Sequence, residues 1–218
     1  MAPKIPATAP GLSAFEALVA EGSPTIVTEV FSLAQLVETS ERYLAVTGRT
    51  GLRPPFFMSP ITGLLGDHLK AVAVRDGLDG PAELGELAGV GLSRACYELV
   101  RERGYPVTLL CGGARIPFDL TGLVGADLHV TINWSTFADV LADPAPFALG
   151  IDRPIDGAAI RRLSKAFGDV RRAFALDGLA LDEFEDFGPV RHFRSNFIAG
   201  WHQVLDAIRT EREALIRS

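Results

Sequence analysis

Cysteine and long apolar runs are scarce in this sequence. Its 218 residues include two cysteines, Cys96 and Cys111, whose separation matches neither a metal-binding nor a redox motif. This argues against a disulfide framework and indicates buried thiols in a reducing compartment. No segment reaches the ~18 consecutive apolar residues of a membrane span, and the first residues lack the apolar core of a secretory signal. We therefore expect a cytoplasmic protein with no membrane partner.

Positive charge is also limited. The chain has 21 lysines and arginines against 27 acidic residues, a net charge of −6, and no basic run interrupts this balance. A nucleic-acid partner is therefore not expected, and a small anionic substrate would need a local basic pocket. The four histidines lack metal-ligand spacing, and neither a dinucleotide-binding nor a phosphate-loop motif is complete. We expect neither a metal nor a cofactor.

Apolar, β-rich runs alternate with helical patterns along the chain. The runs cover residues 25–31, 55–59, 107–111 and 127–132. The third run is almost continuously apolar, which is typical of a parallel strand covered on both faces. Together with a hydrophobic content of 48%, the alternation predicts an α/β fold of repeating βα units in a single domain over residues 1–218.

Glycine, proline and N-capping residues predict where the helices begin and end. The first helix, over residues 11–21, should end at Gly22, and Ser32 should N-cap the second, which should stop near Gly48. Pro81 should open a long third helix that ends at Gly104.

Helical periodicity continues to the end of the chain without an obvious strand. It covers residues 155–177 and 190–218. The second stretch has an apolar stripe that includes Phe193 and Trp201, with basic residues beside it. The helical spacing favours a docking helix with a polar back over an RNA-binding segment.

Five short motifs contain residues suited to chemistry. In chain order they are Lys4-Ile5-Pro6-Ala7-Thr8, Thr28 with Phe31-Ser32, Ser59-Pro60 with Gly63 and Asp67, Gly112-Gly113-Ala114-Arg115, and Gly125-Ala126-Asp127 with Thr131-Ile132. In this order they resemble segments of the transaldolase family, Schiff-base aldolases that move three-carbon units between sugar phosphates. The resemblance implies an incomplete TIM-type (βα) barrel equivalent to strands four to eight, with C-terminal helices and without the first three βα units.

The resemblance also implies a role for each of four side chains. Lys4 would attack a ketose carbonyl to form an iminium, which withdraws electrons while a carbon–carbon bond breaks. Thr28 would order the catalytic water, Ser59 would contact the substrate and Arg115 would bind its phosphate. The implied activity is transfer of a dihydroxyacetone unit between sugar phosphates, in a specialised sugar biosynthesis.

The chain departs from the family pattern near these residues. Ile26 and Ile116 stand where the family has asparagines, and Leu64 stands where it has a second phosphate-binding arginine. The family's two proton-transferring carboxylates, on strands one and three, have no counterpart. Glu29 could replace one, but strand alternation turns it toward the helix layer if Thr28 faces inward. A noncatalytic subunit or pseudoenzyme is therefore the alternative function.

A sheet of five strands cannot close into a barrel, so its first and last strands would have open edges. Three arrangements would account for this: self-association into a shared barrel, a partner chain that carries the missing units, or a sequence that starts downstream of the true N-terminus. We expect a homo-oligomer or a complementing chain, with sugar phosphates as the small-molecule partners.

Overall fold

Strands and helices alternate through a computed structural model that describes residues 1–78, 85–142 and 149–217, without the side chain at position 86. The strands are β1 (Lys4–Pro6), β2 (Thr25–Val30), β3 (Phe56–Pro60), β4 (Thr108–Ala114) and β5 (His129–Ile132). The helices are α1 (Ala9–Ala20), α2 (Leu33–Thr50), α3 (Thr62–Asp76), α4 (Gly85–Arg103), α5 (Pro117–Thr121), α6 (Trp134–Ala142), α7 (Gly157–Ala166), α8 (Gly168–Ala173) and α9 (Gly188–Arg217). The predicted α/β class is confirmed.

The five strands form one parallel sheet in the order β1-β2-β3-β4-β5, so each strand pairs with its neighbours in the chain. Within the described residues, β1 and β5 each have one edge without a strand partner. Parallel strands joined through helices are consistent with part of a TIM-type barrel.

One face of the sheet packs against the helices. Ile5, Val27, Met58 and Leu109 lie side by side on this face and are buried. Helical residues such as Phe15 complete the same core cluster, and each fully buried side chain of this size contributes about 1.5–3 kcal/mol. The helices thus cover one face only, and residues of the opposite face, which we call the open face, lie among the candidate site residues.

The predicted helix ends are partly correct. Ser32 does cap α2, and its Oγ accepts a hydrogen bond from the Gln35 backbone N–H at 3.1 Å. The predicted stop near Gly48 is wrong, because α2 continues to Thr50 and ends where Gly51 adopts a left-handed φ of 74°. Glycine inside a helix costs only ~1 kcal/mol, so Gly48 does not stop it.

The long helix α4 is described from Gly85 to Arg103. It ends before Gly104, as predicted, and this glycine has a left-handed φ of 62°. Its predicted first residue, Pro81, lies outside the described residues.

The C-terminal helical region is divided differently from the prediction. Residues 155–177 form two helices, α7 and α8, because buried Phe167 is extended between them. In α9, Val190 and Phe193 are buried, but the predicted docking stripe beyond them is exposed, with 59% of Trp201 accessible. None of the helices in the described residues is both long enough and apolar enough to cross a membrane.

Candidate active site

Lys4 and Thr28 lie on the open face of the sheet. The parallel register pairs Lys4 with Ile26 and Pro6 with Thr28. Because side chains two residues apart in a strand share a face, Lys4, Ile26 and Thr28 all belong to the face opposite Val27. The structure therefore brings the predicted nucleophile and the predicted water-ordering hydroxyl together, with Ile26 beside the lysine.

Among the described residues, Lys4 is the only lysine that lies in a strand of the sheet. Its side chain is exposed and makes no ion pair within 4 Å there. Lys70 and Lys165 belong to the helices α3 and α7. Lys4 is thus accessible to a carbonyl compound on the open face.

The Thr28 hydroxyl has an unsatisfied hydrogen-bonding capacity. The residue is 6% exposed, and its Oγ1 has no hydrogen-bond partner in the part of the chain that the structure describes. A buried hydroxyl without a partner costs about 1–3 kcal/mol, which a water molecule or a ligand oxygen can recover. Thr28 Oγ1 is therefore a buried hydrogen-bonding group whose partner is not among the described residues.

Thr28 and Glu29 form a β-bulge in β2. Val27 pairs with Met58 and Val30 pairs with Pro60, so β2 uses one residue more than β3 over this interval. Thr28 and Glu29 together lie opposite the single residue between Met58 and Pro60. The strand alternation that would turn Glu29 toward the helices does not continue through this bulge, because Glu29 adopts a left-handed φ of 61°.

The Glu29 carboxyl is half-buried between two cations. Burial raises the pKa of Glu29 above its ordinary value, while Arg194 on α9 and Lys4 on β1 act in the opposite direction. Arg194 also forms an ion pair with Glu185, at 2.7 Å. The charge of the Lys4 amine therefore favours the ionised form of the Glu29 carboxyl and partly offsets the effect of burial on its pKa.

Gln35, a fully buried residue of α2, fixes the bulge. Its Nε2 donates to the carbonyls of Glu29, at 3.0 Å, and Ala7, at 2.9 Å. Its Oε1 accepts from the Phe31 N–H, at 2.8 Å, and from the Ser32 hydroxyl, at 3.2 Å. All four hydrogen-bonding positions of the amide are used. Sequence reasoning missed this residue, although Ser32-x-x-Gln35 matches the capping-box pattern.

Ser59 lies in the interval opposite the bulge and is 1% exposed. The neighbouring strand β4 comes very close to it, since a Cβ added to Gly112 would lie 2.9 Å from Ser59 Oγ. The same added carbon would lie 3.6 Å from Thr131 Oγ1 on β5. Glycine at position 112 thus allows hydroxyls from β3 and β5 to lie near each other.

Arg115 follows β4 at the carboxyl end of the sheet. Its backbone is fixed on both sides, because its N–H donates to Asp119 Oδ2 at 2.8 Å and its carbonyl accepts from Thr136 Oγ1 at 2.9 Å. Its side chain is half exposed, with Nε 3.9 Å from Asp67 Oδ2. The guanidinium is thus held near the first turns of α3 while it stays accessible to an anion.

The glycine of the Ser59-Pro60 motif allows this approach. A Cβ added to Gly63 would lie 2.4 Å from the Gly113 carbonyl oxygen and 2.8 Å from Arg115 Cγ. Leu64, which replaces the second arginine of the family pattern, is buried and packs near Gly113. Arg115 is therefore the arginine that the described geometry places at this point.

The cysteines take no part in this arrangement. Cys96 and Cys111 are free and buried, and burial raises the pKa of Cys111 to about 12. Within the described ranges no group of three histidine, cysteine or acidic residues could hold a metal ion.

The fold is an α/β fold with a five-stranded parallel sheet, consistent with a partial TIM-type barrel, and it has a lysine, hydroxyls and an arginine along successive strands. A model of the Transaldolase/Fructose-6-phosphate aldolase family matches residues 3–184, and the chain belongs to this family. Membership supports an aldolase-type enzyme activity. A search of curated protein sequences gives no match.

Proposed function

We propose that this protein transfers a dihydroxyacetone unit between sugar phosphates through a Schiff base on Lys4. The observation that carries the proposal is the pairing of β1 with β2, which places an accessible lysine amine on the same face as the unpartnered Thr28 hydroxyl. An amine nucleophile and a position for a water molecule are the two groups that imine chemistry needs at one carbon.

Each of the other site residues has a role in this scheme. The amine of Lys4 attacks the ketose carbonyl, and loss of water leaves an iminium that accepts the electrons of the breaking carbon–carbon bond. Thr28 holds the water that leaves and later returns. Ser59 donates or accepts a hydrogen bond with a substrate hydroxyl, and Arg115 binds the phosphate.

Two apolar residues at the site support an unusual substrate preference. Ile26 pairs directly with Lys4, and Leu64 packs beside Gly113. Neither side chain forms hydrogen bonds, so the substrate makes fewer polar contacts there than the family pattern would provide. This supports a role in specialised sugar biosynthesis.

We further propose that β1 to β5 are equivalent to strands four to eight of the family barrel, in one domain over residues 1–218. Within the described residues, β1 and β5 each have an edge without a strand partner, and this favours one alternative, a noncatalytic subunit or pseudoenzyme that completes its barrel with another chain. The two hypotheses differ in one measurable reaction: an active enzyme forms a covalent imine on Lys4, and a noncatalytic protein does not.

That reaction is borohydride reduction of the imine. Incubation with fructose 6-phosphate and sodium borohydride, followed by peptide mass spectrometry, should label the Lys4 peptide and leave Lys70 and Lys165 unlabelled. Lys4→Arg should lose the label, while the matched variants Lys70→Arg and Lys165→Arg should keep it. A label on Lys70 or Lys165 instead would remove the basis for the site. Absence of any label with several ketose phosphates would favour the noncatalytic alternative.

A further inference from the structure

We propose that Glu29 is the proton-transferring residue of the Lys4 imine: as an acid it expels water from the carbinolamine, and as a carboxylate it activates the returning water. This inference rests on the proposed Schiff base at Lys4. It assigns a chemical role to the bulge of β2.

Glu29 adjoins the other site residues in the sheet. The bulge sets Thr28 and Glu29 opposite one interval of β3, the interval that contains Ser59. Thr28 shares the open face with Lys4, as the pairing with β1 requires. A bulge bends its strand and re-aims a side chain, and the Glu29 carboxyl lies within electrostatic range of Lys4.

The bulges of β2 and β4 differ in the residue that adopts the left-handed conformation. The β4 bulge is of the same kind, since Cys111 pairs with Val130 and Ala114 with Ile132. There the left-handed residue is Gly113, with a φ of 71°, and glycine adopts this conformation without steric cost. β2 uses glutamate at the equivalent point, the single non-glycine residue with a positive φ among the described residues. A disfavoured conformation of this kind persists where the surroundings impose it, and it is common at active sites.

The surroundings of Glu29 impose this conformation. Gln35 donates to the Glu29 carbonyl and accepts from the Phe31 N–H, which fixes the backbone after the strained residue. Before it, the Thr28 carbonyl accepts from the N–H of Ala7, which follows β1, at 2.8 Å. The Glu29 side chain is half-buried, faces the charges of Arg194 and Lys4, and has a raised pKa because of burial. A carboxyl in this environment keeps its proton to a higher pH than an exposed glutamate does, which suits a group that donates a proton.

The proton balance of the step is complete with these groups. The neutral Lys4 amine adds to the carbonyl carbon, and a proton passes from nitrogen to oxygen to give the carbinolamine. The protonated Glu29 then gives its proton to the carbinolamine hydroxyl, the carbon–oxygen bond breaks, and the nitrogen lone pair forms the iminium. Water and the Glu29 carboxylate are the other products. Hydrolysis reverses these events, with the carboxylate taking a proton from the attacking water.

The test measures how fast the imine forms. Dihydroxyacetone is mixed with the full chain, borohydride is added at increasing times, and the reduced Lys4 adduct is quantified by mass spectrometry. Glu29→Gln keeps the shape of the side chain and removes the acid. Glu29→Gly removes the carboxyl and relieves the left-handed strain, because glycine adopts this conformation without steric cost. Glu185→Gln is the matched control, because it removes another carboxylate from Arg194 but none from the bulge.

We expect Glu29→Gln and Glu29→Gly to form the adduct about 10²-fold more slowly than the parent, and Glu185→Gln to match the parent. Added formate should accelerate Glu29→Gly and leave Glu29→Gln unchanged, since only the glycine variant has room for a small acid. Equal adduct rates in the parent and in both Glu29 variants would overturn the role of Glu29 while the Schiff base stands. If Glu29→Gly forms the adduct slowly and formate does not accelerate it, Glu29 has a structural role and the proposal is overturned. No Lys4 adduct in the parent would overturn both proposals.

Discussion

Replacing Gln35 by methionine tests whether the bulge depends on one buried amide. Methionine has a similar length and fills a similar space, but it makes none of the four hydrogen bonds of the Gln35 side chain. Three backbone groups would lose a partner: the carbonyls of Ala7 and Glu29 and the N–H of Phe31. The Ser32 hydroxyl keeps its role as the N-cap of α2, because it accepts from the backbone of position 35.

The expected loss follows from these groups. A buried backbone group left unpaired costs about 1–3 kcal/mol, so three of them cost roughly 3–9 kcal/mol. Burying the apolar methionine side chain contributes about 1.5–3 kcal/mol in return. Taken at mid-range, these values predict that Gln35→Met lowers the free energy of unfolding by about 4 kcal/mol.

Urea denaturation followed by circular dichroism measures this loss, provided that the slope against urea concentration stays the same. Gln203→Met is the matched control, because Gln203 is exposed on α9, and this variant should change stability by less than about 0.5 kcal/mol. A loss below about 1 kcal/mol for Gln35→Met would refute the reasoning, since the backbone around Glu29 would then have other partners. A stable Gln35→Met protein should also form the Lys4 imine more slowly, because Glu29 would no longer be held.

Two further predictions concern the phosphate and the assembly. Arg115→Met should reduce kcat/KM for a phosphorylated donor by an amount equivalent to about 2–4 kcal/mol, and phosphorylated and unphosphorylated donors should then converge in efficiency, whereas the exposed control Arg75→Met should keep the parent's preference. Light scattering of the purified chain should give a mass of a dimer or larger assembly, because open strand edges and the exposed Trp134 and Trp201 favour association; a monodisperse particle of 23.4 kDa would contradict this.

The strand runs and the motif order were sufficient to predict the parallel βα arrangement and to place Lys4 at its edge. Periodicity predicts which face of a strand or helix is apolar, and the sheet and the core helices pack against each other through these apolar faces. It fails at Glu29, because a bulge changes the facing residue without changing the composition of the strand. It also fails in α9, where an apolar stripe predicts a partner surface but not whether that surface lies in the same chain.

The end of α2 and the role of Gln35 could be predicted from the sequence only in part. Gly48 and Gly51 are equally plausible stops by composition, and only the backbone conformation distinguishes them, with Gly51 in the left-handed region. The capping-box pattern at Ser32 predicts that Gln35 turns back toward the start of its own helix. It does not predict the bonds to Ala7 and Glu29, which require β1 and β2 to be side by side.

The order of the strands in the sheet has a consequence for synthesis on the ribosome. Because β1 to β5 are neighbours in the sheet in the order in which they are made, each new strand finds its partner already emerged and needs no strand that is still to come. The hydrogen-bonded sheet can therefore grow in one direction during translation, with the earlier βα units as its template. The trailing edge stays exposed until the next strand arrives, so a pause between strands is the point at which nascent chains of this protein are most exposed to aggregation.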